Sequence, residues 1–298
     1  MNLSGVLGPV VSTFDAATGD LDLAAFEANL RAHLAAGLHG IVVAGSTGEA
    51  VLLDEGERAT LVERARAVVP RDRLLIAGTG AESTRATISR CRAAAAAGAE
   101  AALVVSPHYY TAAMTAEAIL AHFHRVADES PIPVILYNIP KYVGFALSPA
   151  VVAELSAHGN VVGIKDSSGD RDQIAAYVNA QGRHFTVLTG SGSLLHTALR
   201  VGARGAILAV ALFAPRPSLA VYEAVMANDE TAAAAAQARL SPMASTIVGA
   251  LGVPGVKAAL DVVGLHGGPV RAPLTPLSKA DRARVRALLA EESAAASA

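Results

Sequence analysis

Eight short apolar runs rich in β-branched residues recur along this chain, and helical patterns lie between them. Such an alternation predicts parallel strands that are joined by right-handed helical crossovers. The runs occupy residues 6–12, 40–44, 74–77, 102–106, 134–137, 161–165, 186–189 and 206–210. Eight is the number of parallel strands that closes a (β/α)8 barrel. We therefore predict an α/β fold of the TIM-barrel class.

The length of the chain agrees with one barrel and a helical appendage. If the barrel ends near residue 228, each strand-helix unit takes 228/8, about 28 residues, which is in the usual range for such barrels. Three further helical patterns follow, at residues 231–248, 254–263 and 279–292. We predict a barrel over residues 1–228 and a C-terminal helical region over 229–298 that packs on it.

Composition and missing motifs exclude several classes of partner and cofactor. The 298 residues carry 24 Lys+Arg and 26 Asp+Glu without a basic cluster, so we do not expect a nucleic-acid partner. No apolar run approaches the length of a membrane span and no secretory signal pattern is visible, so we expect no membrane partner and a cytoplasmic location. The lone Cys91 and the lack of HExxH, P-loop and GxGxxG motifs lead us to expect neither metal nor nucleotide.

The motif GSTGE, residues 45–49, directly follows the second predicted strand. Function in such barrels belongs to the carboxyl ends of the strands and the loops after them. Two glycines permit a tight turn, and the hydroxyls of Ser46 and Thr47 together with free backbone N–H groups can cradle a carboxylate. A turn that uses Gly, Ser and Thr only for its backbone geometry is the alternative.

Residues 161–170, VVGIKDSSGD, contain a lysine at the end of the sixth predicted strand. Strand alternation places Val161, Gly163 and Lys165 on one side of the sheet. If that side faces the barrel interior, apolar walls surround the amine, and desolvation favours the neutral form that a Schiff-base nucleophile requires. A solvated lysine at a strand end is the alternative.

Tyr137 ends the fifth predicted strand and precedes Lys165 by 28 residues, which is one mean unit. The two side chains should therefore occupy equivalent positions on adjacent strands, about 5 Å apart. A phenol beside an amine can carry the proton transfers that imine formation and aldol cleavage require. A tyrosine at the rim of the barrel without a chemical role is the alternative.

Together the motifs GSTGE (45–49), YNIP (137–140) and GIKDSSGD (163–170) resemble those of the dihydrodipicolinate synthase and N-acetylneuraminate lyase family of class I aldolases. This resemblance covers essentially the whole chain. It implies a TIM barrel with C-terminal helices, Lys165 as the imine-forming residue, Tyr137 as acid and base, and no cofactor. It also implies that Ser46 and Thr47 bind the carboxylate of a 2-oxo acid such as pyruvate.

The same resemblance implies that Tyr109 enters the site of a neighbouring subunit and completes a proton relay of Thr47, Tyr109 and Tyr137. We therefore expect a homo-oligomer, built as a dimer of dimers. The other substrate-binding residues that we predict are Gly48, Ser167, Gly190, Ser191 and Ile207.

Two departures from the family bear on the substrate. Tyr142 stands where dihydrodipicolinate synthases typically carry an arginine that pairs with the carboxylate of aspartate semialdehyde, and a neutral phenol cannot form that pair. The loop at residues 190–193 lacks the acids with which neuraminate lyases bind a polyol. We predict that this loop opens a helix whose free N–H groups hold a distal carboxylate, or else that it is only a Gly-rich turn.

Several segments resemble mitochondrial-type 4-hydroxy-2-oxoglutarate aldolase, namely residues 74–84, 130–137, 165–170, 190–195 and 252–274. Our first expectation is therefore cleavage of 4-hydroxy-2-oxoglutarate to pyruvate and glyoxylate. The enzymatic alternatives are 4-hydroxy-tetrahydrodipicolinate synthase and a 2-keto-3-deoxy sugar acid aldolase or dehydratase. The alternative that is not an enzyme is a sensor that binds a 2-oxo acid.

Overall fold

A computed structural model of the chain describes residues 3–297, and the side chains of residues 3–294. Within this part of the chain, eight parallel strands close into a barrel in sequential order, which confirms the predicted fold class. The strands are β1 Gly5–Pro9, β2 Gly40–Val43, β3 Leu74–Gly78, β4 Ala101–Val105, β5 Val134–Asn138, β6 Val161–Asp166, β7 Thr186–Thr189 and β8 Gly205–Ile207.

Helices follow the strands and continue beyond the barrel. They are α1 Leu23–Ala35, α2 Glu55–Val68, α3 Thr84–Ala96, α4 Ala116–Glu129, α5 Pro140–Val143, α6 Pro149–Ser156, α7 Arg171–Val178, α8 Leu195–Arg200, α9 Pro215–Met226, α10 Glu230–Met243, α11 Gly252–Val262 and α12 Lys279–Ser297. Side-chain caps fix several of the starts. The Ser83 and Thr115 hydroxyls accept the backbone N–H groups of Ala86 and Ala118, as is typical of helix N-caps.

Apolar side chains of the strands divide into an inner and an outer layer. The inner layer fills the barrel and includes Leu7, Val42, Ile76, Leu103, Ile135, Leu188 and Ile207. The outer layer packs alternate strand residues, such as Val104 and Leu136, against helix residues such as Phe123. Because side chains fill the interior, the barrel offers a site only at its mouth.

Strand β6 departs from simple alternation. The pairing of β5 with β6 shifts register between Val134 and Ile135, so Val134 pairs with Val161 and Ile135 pairs with Gly163. The extra residue is a β-bulge, and it reverses which face the following side chains take. Val161 therefore packs in the outer layer. The prediction that it shares a face with Lys165 is wrong for this reason.

Strand β8 is shorter than predicted. Its last residue is Ile207, and residues Ala209–Leu212 form a 3-10 turn instead of continuing the strand. The whole segment from Gly205 to Leu212 is buried. Periodicity alone cannot distinguish a strand from a helical turn in a fully buried apolar run.

The C-terminal region packs on the barrel as part of a shared core. Leu240, Ile247 and Val256 belong to the same cluster of buried side chains as Val6 and Val10 of the barrel's first strand segment. The division at residue 228 remains a prediction. No helix in the described residues is long and apolar enough to cross a membrane.

The helical pattern predicted over 231–248 is α-helical only as far as residue 243, and its last five residues belong to a π-helix. Helix α10 ends at Met243, and the seven residues Ala244–Ala250 form a π-helix before α11 begins. Pro242 lies in the last turn of α10 and has no N–H to donate to the helix. π-Helical segments are rare and are often found at functional sites. Here the π-helix lies over the mouth of the barrel.

Candidate active site

A cavity of about 350 Å³ opens at the carboxyl ends of the barrel strands. The predicted site residues that line it are Ser46, Thr47, Tyr137, Lys165, Ser167, Gly190, Ser191 and Ile207. Residues of the π-helix and of α11, such as Val248 and Val256, form a further wall. The cavity is therefore built by the barrel and the C-terminal region together. Of the predicted site residues, Gly48 and Tyr109 do not line it.

Lys165 lies at the base of this cavity. It is 6% exposed, on β6, and in strand register with Tyr137 of β5 on one side and Leu188 of β7 on the other. Its Nζ atom lies 4.3 Å from the centroid of the Tyr137 ring. The predicted placement of the two residues at equivalent positions of adjacent strands is confirmed.

The next register pair along the same two strands is Asn138 and Asp166, and it forms a buried hydrogen-bond network. Asn138 Nδ2 donates to Asp166 Oδ1 at 2.7 Å, and Ser168 Oγ donates to Asp166 Oδ2 at 2.7 Å. Burial raises the pKa of the Asp166 carboxyl above its ordinary value, although these donors oppose the rise. The network fixes the strand ends that carry Tyr137 and Lys165.

The GSTGE loop approaches the amine from β2. Residues Ser46–Gly48 form one 3-10 turn, from which Ser46 and Thr47 are half-buried and line the cavity. Gly48 is buried beside β1, where its carbonyl accepts the Ser12 hydroxyl at 2.7 Å. A Cβ at Gly48 would lie 2.9 Å from the Val10 carbonyl oxygen, so a glycine lets the loop approach β1 closely. Gly48 thus shapes the loop and does not face the cavity.

The loop after β7 contributes a wall beside Lys165. A Cβ at Gly190 would lie 1.9 Å from Ser167 Oγ and 2.8 Å from Lys165 Cε, so only glycine leaves the lysine its position. Ser191 N–H donates to Thr189 Oγ1 at 3.1 Å. The loop leads into a 3-10 turn at Gly192–Leu194, and the short helix α8 follows directly at Leu195. That its N–H groups hold a distal carboxylate stays a prediction.

Tyr109 lies outside the cavity, on a loop that follows β4. Its side chain is 77% exposed, and its ring packs edge-on against Tyr110 with centroids 5.1 Å apart. Glu82 Oε2 accepts the backbone N–H groups of both His108 and Tyr109, at 2.9 and 2.8 Å. This carboxylate anchors the loop, so the exposed phenol projects from a fixed backbone.

Lys141 is a cavity residue that the sequence reasoning missed. It lies on the one-turn helix α5 directly before Tyr142, and both side chains line the cavity. Its Nζ donates to the carbonyl of Gly249 in the π-helix at 2.8 Å. The signal in the sequence was a lysine one position before the residue where the family's arginine was expected. The cavity therefore has a cation at its rim after all.

Comparison with known proteins gives the family. The model of the dihydrodipicolinate synthetase family matches residues 2–292. The chain belongs to that family. Its members are aldolases that form a Schiff base with pyruvate, so this family member is a lyase of that class.

Named relatives extend over nearly the whole chain. A 4-hydroxy-tetrahydrodipicolinate synthase of Xanthomonas axonopodis pv. citri is 40% identical over 293 residues, which cover 98% of this chain and 95% of the relative. An uncharacterised DapA-like lyase of Halobacterium salinarum is 38% identical over 291 residues, with coverage of 98% and 94%. The Xanthomonas relative thus carries the name 4-hydroxy-tetrahydrodipicolinate synthase, which was an alternative in the sequence analysis. The first expectation there was 4-hydroxy-2-oxoglutarate aldolase.

Solved structures of the dihydrodipicolinate synthase family share the fold. YagE of Escherichia coli K12, in complex with pyruvate, has a TM-score of 0.91 and 30% identity, with coverage of 98% of this chain and 99% of that one. The chloride-inhibited dihydrodipicolinate synthase of Acinetobacter baumannii, also complexed with pyruvate, has a TM-score of 0.92 and 30% identity at the same coverage. Both similarities extend through the barrel and the C-terminal helices.

Proposed function

We propose that Lys165 forms the imine with pyruvate, that Tyr137 transfers the protons, and that the second reactant is a small aldehyde that carries a carboxylate. The observation that carries this proposal is the Tyr137–Lys165 register pair at the base of a cavity whose wall includes Ser46 and Thr47. Amine, phenol and hydroxyls are the groups that a pyruvate imine requires.

In the first half-reaction the neutral amine of Lys165 attacks the C2 carbonyl of pyruvate. The carbinolamine oxygen takes a proton from the Tyr137 phenol and leaves as water, which gives the imine. Ser46 and Thr47 hold the pyruvate carboxylate through hydroxyl and backbone N–H groups. The apolar side chain of Ile207 lines the same cavity, and we assign it to the methyl group of pyruvate.

In the second half-reaction the Tyr137 phenolate, left when the carbinolamine oxygen took its proton, removes a proton from C3, and the imine becomes an enamine. The enamine carbon attacks the aldehyde carbon, and the new C4 oxygen takes a proton, which Tyr137 supplies through Thr47 and Tyr109 of a second copy. Cleavage runs through the same steps in reverse, and water finally releases pyruvate from Lys165. Every proton transfer in the scheme uses a phenol or hydroxyl near neutral pH.

The rim of the cavity supports an aldehyde with a negative charge. Lys141 carries the ammonium there, and its present hydrogen bond is to the neutral carbonyl of Gly249. A carboxylate would form a stronger, charge-assisted hydrogen bond with the same ammonium. Aspartate semialdehyde and glyoxylate both carry a carboxylate, whereas the aldehyde from a 2-keto-3-deoxy sugar acid is a polyol. The aldehyde of the sugar-acid alternative has no carboxylate with which the Lys141 ammonium could form a charge-assisted hydrogen bond.

Two reactions use such an aldehyde. The names of the relatives favour 4-hydroxy-tetrahydrodipicolinate synthase, in which pyruvate condenses with aspartate semialdehyde. The neutral side chain of Tyr142 favours the second candidate, cleavage of 4-hydroxy-2-oxoglutarate to pyruvate and glyoxylate. A sensor that only binds a 2-oxo acid has no need of the amine at the base of the cavity.

Comparison of kcat/KM for the two reactions tests the assignment. We expect the higher value for condensation with aspartate semialdehyde. A higher value for 4-hydroxy-2-oxoglutarate cleavage would contradict this expectation and identify the chain as a 4-hydroxy-2-oxoglutarate aldolase. Activity only with a polyol aldehyde, while pyruvate still modifies Lys165, would contradict the carboxylate-bearing aldehyde.

A homo-oligomer completes the proposal. A second, mostly apolar cavity of about 420 Å³ shares Tyr137 and Tyr142 with the first. Two exposed apolar side chains belong to the segments that line this second cavity. Val51 is 86% exposed and Tyr109, next to the lining residue His108, is 77% exposed. We assign this face to a second copy that delivers its Tyr109. Mixing Lys165→Ala and Tyr109→Phe chains should restore activity in hybrid dimers, and the lack of any recovery would contradict this assembly.

A further inference from the structure

Glu49, the last residue of the GSTGE motif, has an unusual backbone and a buried side chain. Its φ of 56° lies in the left-handed region, which side-chain-bearing residues rarely adopt because Cβ crowds the backbone. The residue is 2% exposed, and it follows the 3-10 turn that carries Ser46 and Thr47. A charged side chain in such a place needs partners inside the protein.

Those partners come from the C-terminal region. Glu49 Oε1 lies 2.5 Å from Lys257 Nζ of helix α11, and both side chains are almost fully buried, at 0% and 2% exposure. Glu49 Oε2 accepts the backbone N–H of Arg271 at 2.8 Å. Two segments beyond the barrel thus hold one carboxylate beside the cavity.

Lys257 is itself fixed from the far side. Its Nζ also donates to the carbonyl of Pro269 at 2.6 Å and lies 4.5 Å from the centroid of the Phe14 ring. Arg271 lies over the same ring at 4.1 Å and forms an ion pair with Glu57 of α2. Burial lowers the pKa of Lys257, while the carboxylate of Glu49 opposes that effect.

The turn between these anchors has little freedom. The Ser12 hydroxyl donates to the carbonyl of Gly48 at 2.7 Å. The following residue, Glu49, is held in place by its ion pair with Lys257. Without its carboxylate, Glu49 would have no compensation for its left-handed backbone. Relaxation there would move the N–H and hydroxyl groups of Ser46 and Thr47 that face the cavity.

We propose that the buried Glu49–Lys257 ion pair is a positioning device through which the C-terminal region holds the Ser46–Thr47 turn in the shape that binds the pyruvate carboxylate. The proposal rests on the proposed function of that turn. It makes Glu49 and Lys257 positioning residues, since neither lines the cavity that contains Lys165. It also makes helix α11 part of pyruvate recognition, although α11 lies far from this turn in the sequence.

The test compares two carbonyl compounds that differ in the carboxylate. Pyruvate and acetaldehyde are each titrated against the full chain with borohydride present, and the modified fraction of Lys165 is measured by mass spectrometry. Glu49→Gln removes the charge, and Glu49→Gly removes the side chain while it tolerates the left-handed backbone. The double variant Glu49→Gln with Lys257→Met leaves no unpaired buried charge, so it keeps the experiment decisive if a single variant does not fold.

We expect the half-saturating pyruvate concentration to rise roughly ten-fold or more in all three variants, the loss typical of one charge-assisted contact. The acetaldehyde titration should stay within two-fold of wild type, because acetaldehyde has no carboxylate for the turn to bind. Arg239→Met breaks the ion pair between α10 and Glu292, outside the cavity, and should change neither titration.

Equal pyruvate titrations in wild type and the double variant would overturn the proposal alone. So would an equal loss with acetaldehyde, since that result would mean a general disturbance of the site. A wild-type chain whose Lys165 is not modified by pyruvate would overturn the proposed function, and this proposal with it.

Discussion

Lys165 and Tyr137 are partners in the β5–β6 register, and the Lys165 Nζ atom lies 4.3 Å from the centroid of the Tyr137 ring. Strand pairing fixes the two Cα atoms, and the neighbouring pair of Asn138 and Asp166 locks the same strand ends through a 2.7 Å hydrogen bond. The amine and the phenol are therefore held by the sheet and not by a mobile loop. Sites on rigid elements keep the accurate geometry that proton transfer requires.

Tyr137→Phe should keep the fold and the imine but lose much of the rate. The ring stays in the inner apolar layer, so packing is preserved, while the phenol that transfers protons is removed. We expect kcat to fall by roughly 10² to 10⁴, the usual contribution of general acid-base catalysis. Steady-state kinetics with borohydride trapping as a parallel readout checks this. A near-normal kcat would remove Tyr137 from the mechanism.

Lys141→Met should weaken binding of the aldehyde and leave binding of pyruvate unchanged. A charge-assisted contact contributes about 1.5–3 kcal/mol, so KM for the aldehyde should rise roughly 10- to 150-fold. Lys141→Arg keeps a cation and should recover part of that loss. The measurement is KM for each reactant with the other saturating. Equal effects on both reactants, or none, would contradict a role of Lys141 in binding the aldehyde.

Gly190→Ala should disable Lys165 without unfolding the chain. The new methyl group would lie 1.9 Å from Ser167 Oγ and 2.8 Å from Lys165 Cε, so both side chains must move. Misplacement of a reacting group by about 1 Å can cost 10²-fold in rate, and we expect a loss of that order. Gly182→Ala is the matched control, because its added Cβ meets nothing within 4 Å. Similar kcat/KM values for the two variants would contradict this account of Gly190.

His122 should make the protein less stable as the pH falls from 6.5 towards 4. Burial lowers its pKa from 6.5 to about 4, and its Nδ1 faces the Thr84 hydroxyl at 2.9 Å. Below pH 6.5 the unfolded chain binds a proton that the folded chain refuses, so the folded state loses stability until its own pKa is reached.

From pH 7 to pH 5 this one group should lower the free energy of unfolding by on the order of 2 kcal/mol. His122→Gln should remove that part of the decline. His124→Gln, two residues along the same helix at a side chain that is 38% exposed, is the control. Urea unfolding at the two pH values measures the difference. The same decline in wild type and His122→Gln would show that another group causes it.

Much of the fold could be predicted because the barrel has local signals. All eight predicted strands overlap the observed ones, with ends that differ by at most three residues, since short apolar runs alternate with capped helices. The largest departures are the ends of β1 and β8, and after β8 the apolar run continues into a 3-10 turn at Ala209–Leu212. The β-bulge at Val162 also lacks a local signal, because it depends on how β6 pairs with β5.

The candidate site likewise contains residues that the sequence could predict and residues that it could not. Tyr137 and Lys165 were predictable because their spacing equals one strand-helix unit, and the structure brings them together. Lys141 was missed because a lysine on a one-turn helix resembles any surface lysine until the π-helix is seen opposite it. The Glu49–Lys257 pair joins residues that are far apart in the chain, and nothing in either neighbourhood reveals the contact.

Reductive trapping on Lys165 tests the central claim most directly. The chain is treated with saturating pyruvate and sodium borohydride, digested, and mapped by mass spectrometry. We predict that the reduced pyruvate adduct lies on Lys165, the lysine at the base of the cavity, and that Lys165→Arg abolishes it. Unmodified Lys165 under saturating pyruvate, or an equally abundant adduct on the rim residue Lys141, would contradict the account.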